Sequence, residues 1–90
     1  KMKRQFLIET DSEYQTRAVQ QIKAMIDDMR RIIRLLDEDI AADEARVRVY
    51  DPTDIAYPWA AKAMSDRRAN LKQTIASLEQ RLPAQIEASI

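Results

Sequence analysis

From Val19 onward, apolar residues recur at alternating steps of three and four: Val19, Ile22, Ile26, Met29, Ile33, Leu36 and Ile40, with Asp43, Val47 and Tyr50 continuing the series. Beyond a proline-marked turn the same steps return in Tyr57, Ala61, Met64, Arg68, Leu71, Ile75, Leu78 and Leu82. A repeat averaging about 3.5 residues keeps one stripe of a helix facing a partner helix along its whole length. The pattern therefore predicts an all-α protein, a two-helix antiparallel coiled-coil hairpin in which residues 1–90 form a single unit. Such a hairpin has little surface to bury, so dimerisation into a four-helix assembly is also expected.

Punctuation sets the predicted bounds. Thr10 with Glu13 and Ser12 with Gln15 have the capping-box form, which places a helix start near residue 10. Asp51 precedes Pro52, and a residue before proline is pushed out of helical geometry, so helix 1 should end by about residue 50. Residues 51–57 make the turn, and Pro58 opens helix 2 at its first position, where a missing donor costs nothing. Pro83 predicts a kink or stop, so helix 2 is expected over about 58–82.

Each seam carries one charge, and the two are opposite in sign. If facing residue numbers add to about 111, Val47 meets Met64, Ile40 meets Leu71, Leu36 meets Ile75, and Asp43 meets Arg68 as a register pair. The same register sets Glu44 against Arg67 and Asp39 against Lys72, so the acidic cluster of Asp37, Glu38, Asp39, Asp43 and Glu44 reads as a salt-bridge network rather than a metal or acid-base site. A further apolar stripe, Met25, Ile32 and Leu35, flanks the seam and is not needed by two helices. It is expected to meet a second copy or a partner protein. Trp59 has two readings: a lid closing the hairpin end over Tyr50, or an anchor for a partner.

Composition removes most chemistry. The chain has no glycine, histidine or cysteine, so phosphate-cradling loops, zinc sites, thiol nucleophiles, histidine bases and disulfides are disfavoured. No catalytic, cofactor-binding or metal residues are expected, and the chain is read as a non-enzyme. Fifteen basic and fifteen acidic residues cancel. With no global field and no aromatic interleaving around Arg30, Arg31 and Arg34, nucleic acid is not an expected partner. No apolar run is long enough to span a membrane, and a cytoplasmic location is the default expectation.

The turn and its neighbours carry a resemblance. Gln21-Ile22-x-Ala24-Met25-Ile26, Leu36-Asp37-x-Asp39-Ile40-Ala41-Ala42, Asp51-Pro52, Ala56-Tyr57-Pro58, Ala61-Lys62-Ala63, Arg67-Arg68 and Asn70-Leu71 together resemble a short variant of the FliJ-type flagellar export proteins of alphaproteobacteria. The resemblance covers roughly residues 18–75 and is most specific around the two prolines. It implies a cytoplasmic antiparallel coiled coil that associates with an export ATPase or another part of the export apparatus. Two other functions stand beside it: a self-associating structural coiled-coil module with no export role, and a secreted small helical hairpin of the kind with Trp-x-Gly at its turn. Here Trp59 is followed by Ala60-Ala61 instead.

Overall fold

The computed structural model describes the backbone of residues 2–89 and the side chains of residues 16–82. Two helices make up the chain: α1, Met2–Val47, and α2, Trp59–Ser89. Rising residue numbers in α1 meet falling numbers in α2, from Arg30 with Glu79 to Asp37 with Arg68 and Glu44 with Tyr57, so the pair is antiparallel. The molecule is a rod of 70 × 17 × 13 Å with a radius of gyration of 20.4 Å, against about 12 Å for a compact domain of this length.

The seam read from the sequence is the buried stripe. Ile26, Leu36, Ile40, Ala61, Ile75 and Leu78 are buried, and Ile22, Met29, Ile33 and Leu82 pack against the cluster of Ile26, Ile75 and Leu78. The hydrophobic effect acts along this one line, and truncating a buried residue such as Leu78 to alanine costs about 2–5 kcal/mol in packed cores generally.

Several bounds differ from expectation. Helix α1 starts at Met2 rather than near residue 10, because Lys, Arg, Gln, Leu and Glu before Thr10 are good helix formers and a cap-capable residue costs only tenths of a kcal/mol, roughly, inside a helix. The side chains of the two capping boxes lie outside the described residues. Helix α1 also ends earlier, at Val47, with Arg48 in the left-handed region at φ 58. That is the position where helices ordinarily turn off with glycine, and this chain has none to offer. The connection is therefore 48–58 rather than 51–57. Pro58 stands just before α2, where its carbonyl accepts the first helical bond from the Lys62 amide at 3.1 Å, and Trp59 takes the first helical position. Pro83 does not stop α2, which continues to Ser89. The strong formers Ala84, Gln85, Glu87 and Ala88 follow it and offset part of the lost hydrogen bond and the clash with the preceding turn that an interior proline brings.

The register is also different. Arg68 pairs with Asp37, and Asp43 pairs with Arg46 one turn along its own helix at 3.2 Å, so Asp43 and Arg68 do not form the register pair. Ile75 shares a buried cluster with Ile26 and Leu78, against which Ile22, Met29, Ile33 and Leu82 pack, and Leu36 is not part of it. Facing residue numbers add to about 105 instead of about 111, an offset close to one heptad. A heptad slip carries seam positions onto seam positions and keeps most layers apolar, moving Arg68 from Asp43 to the level of Leu36 and Asp37, so the apolar pattern alone does not detect it. The helix ends at Val47 and Trp59 decide, because the loop between them fixes which layers meet.

Two outcomes follow. Replacing Arg48 with glycine should raise stability by about 1 kcal/mol, the cost of a left-handed residue bearing a Cβ, read as a higher midpoint in thermal melting by circular dichroism. A double-mutant cycle on Asp37→Ala and Arg68→Ala should give a coupling of about 0.2–1 kcal/mol, while the cycle on Asp43 and Arg68 gives none. A coupling found only in the second cycle would restore the register read from the sequence.

Candidate functional site

The loop 48–58 is built from two consecutive turns joined at Asp54. The Asp54 amide donates to the Asp51 carbonyl at 3.0 Å and the Tyr57 amide donates to the Asp54 carbonyl at 3.0 Å. Each turn begins with an aspartate whose side chain does a second job. Asp51 Oδ1 accepts from the Thr53 amide at 2.9 Å and the Thr53 hydroxyl at 2.8 Å, and Asp54 Oδ1 accepts from the Ala56 amide at 2.8 Å. Aspartate at the first turn position and proline at the second are what such turns favour. The bond from the Thr53 amide, then that from its hydroxyl, holds the Asp51 carboxyl below its ordinary value of 3.8.

Tyr57 ties this loop to α1. Its hydroxyl donates to Glu44 Oε2 at 2.8 Å, and the tyrosine ring is half-buried. Partial burial, followed by the bond to Glu44 and that carboxylate's charge, pushes the Tyr57 hydroxyl above its ordinary value of 10.0, with Ser65 and Arg68 acting in the opposite direction.

The clamp presents large apolar side chains to water. Trp59 is 83% exposed, Tyr50 is 61% exposed and Ile55 is fully exposed, while Ala61 directly behind them is completely buried. Trp59 is thus no lid over Tyr50. The small alanines let the helices close at the tip without it: Ala61 fills the last seam position and Ala60 is half-buried. Ile55 lies outside both heptad runs, and one sequence signal marks it: a lone aliphatic residue between Asp54 and Ala56, inside a loop bounded by prolines.

The remaining predicted partner surface lies on the side of α1. Met25 and Leu35 are exposed and Ile32 is half-buried, so the flanking stripe faces outward in part and does not join Trp59 in one patch. The acidic cluster is dispersed rather than convergent. Asp37 goes to Arg68, Asp43 to Arg46 and Glu44 to Tyr57, and Asp39 does not meet Lys72 nor Glu44 Arg67. Among the described residues no group of three or more acidic side chains is placed to hold a metal ion. The basic band is split likewise: Arg30 reaches Glu79 at 3.4 Å, Arg31 reaches Asp28 at 3.5 Å, and Arg34 borders a shallow groove floored by Ile33 and Ile75 with Lys72 opposite. No described helix is long and apolar enough to cross a membrane.

These features define an all-α helical hairpin with a hydrogen-bonded tip that exposes apolar side chains and a partly apolar flank. No family model, curated protein or solved structure matches the chain.

The tyrosine clamp has a pH signature with a definite sign. A hydroxyl whose folded value is raised contributes stability fully below its unfolded value of 10.0, and loses it as pH rises through the folded value. Tyrosinate absorbance should therefore show one phase later than that of an unperturbed tyrosine, and Tyr57→Phe should remove that late phase alone. A late phase that survives Tyr57→Phe would place the perturbation on another tyrosine.

Proposed function

We propose that this chain is a non-enzymatic coiled-coil accessory protein that works by docking its surface onto larger machinery, with flagellar or type III protein export as the setting. The observation that carries the docking reading is the tip. Three large apolar residues stand exposed there, Tyr50 and Ile55 on a loop that carries its own hydrogen bonds and Trp59 at the first position of α2. Exposing them gives the isolated hairpin nothing, and ordering them beforehand lowers the entropy lost when a partner covers them. Tryptophan and tyrosine are the side chains most often found to dominate binding energy.

The export setting draws on the resemblance around Asp51-Pro52, Ala56-Tyr57-Pro58, Ala61-Lys62-Ala63 and Arg67-Arg68. In this reading the chain works in the cytoplasm and its partner is the export ATPase or a neighbouring component of the apparatus. The self-associating module remains the second reading, favoured by the exposure of Met25 and Leu35 far from the tip.

The test is co-sedimentation of the purified chain with the export ATPase of the same organism. Binding is expected, with Trp59→Ala weakening it by about tenfold or more, as removal of a hot-spot residue does. Because Trp59 is exposed, the same change should leave the helical content and melting midpoint nearly unaltered. No binding by the folded chain removes the export setting; binding indifferent to Trp59→Ala moves the contact away from the tip.

A further inference from the structure

Directly behind the seam, α1 carries a second stripe with the same alternation of steps: Ala24, Asp28, Arg31, Leu35, Glu38, Ala42 and Ala45. Each position lies two residues beyond a seam position, hence about 200° around the helix, on the side turned away from α2. All seven residues are exposed. Leu35, at 56% exposure, is the one large aliphatic side chain among them. The stripe has three positions on each side of Leu35, and the two charges nearest Leu35 are opposite in sign: Arg31 precedes it by four residues and Glu38 follows it by three.

We infer that this face binds a second copy of the chain, α1 against α1, antiparallel across a two-fold axis at Leu35. A two-fold contact uses the same patch twice, so the patch must be complementary to its own reversal. This one is. With Leu35 against Leu35, Arg31 of each copy meets Glu38 of the other, Asp28 meets Ala42, and Ala24 meets Ala45. The alanines let the backbones approach closely on either side of the central leucines. A parallel pairing would set Arg31 against Arg31 and Glu38 against Glu38, and the charges reject it. Within one chain Glu38 has no hydrogen bond or ion pair among the described residues, and Arg31 has only the exposed bridge to Asp28 one turn away, at 3.5 Å, which binds it weakly. Both are free to be taken by a second copy. The inference stands independently of the export setting and uses a different face from the tip.

The experiment is sedimentation equilibrium of the full chain over a range of concentrations, with helicity checked by circular dichroism. The wild type should approach twice the 10.5 kDa chain mass. Arg31→Glu alone and Glu38→Arg alone should each sediment as a folded monomer, since each sets like charges together at both ends of the contact. An equimolar mixture of the two variants should recover the dimer, because every meeting is then again between opposite charges. A wild type that stays monomeric overturns the inference. So does a dimer unaffected by either single change, or one abolished by Trp59→Ala, which would place the contact at the tip. Failure of the mixture to re-associate, with both variants folded, excludes the antiparallel geometry.

Discussion

The whole molecule depends on one line of apolar contact. Ile26, Leu36 and Ile40 from α1 and Ala61, Ile75 and Leu78 from α2 are its buried members, and nothing buried lies outside it among the described residues. A seam one side chain wide holds two helices together and leaves most of the described side chains facing solvent. It explains why electrostatics stay at the margins. The cross-helix pairs of Arg30 with Glu79 and Asp37 with Arg68 flank the seam at partly exposed sites, where ion pairs guide alignment more than they add stability.

The loop supplies what the seam cannot. A heptad seam is indifferent to sliding by seven residues, so something local must choose among equivalent alignments. Here that choice is made by Arg48 turning α1 off, by the paired turns at Asp51 and Asp54, by Pro58 launching α2, and by the Tyr57 hydroxyl reaching back to Glu44. The same parts hold Tyr50, Ile55 and Trp59 outward. Alignment and presentation of the tip thus come from one set of interactions.

The seam, the number of helices and their antiparallel sense were legible in the sequence because periodicity reports directly on which positions face a partner. The register was not, and the reason is visible in Arg68. It stands opposite Asp37 in the observed alignment and opposite Asp43 about one heptad away, so it meets an acid in either, and matching seam charges selected Asp43 where the structure has Asp37. Helix ends were only partly legible. Proline marked the loop correctly at Pro52 and Pro58, but the end of α1 is set by Arg48 adopting a left-handed conformation that composition gives no reason to expect of arginine. Of the candidate contact surface, Met25 and Leu35 could be read from their offset to the seam. The outward pose of Trp59 could not, because neighbouring alanines are compatible equally with a covering ring and with helices that close without one.

Trp59 is the chain's single tryptophan, and it stands in solvent at the tip with no part in the core. Its fluorescence is therefore nearly blind to melting of the helices, whose loss only circular dichroism follows, and sensitive to whatever covers the loop. The protein carries its own optical reporter, and that reporter distinguishes occupancy of the tip from the folded state of the rod behind it.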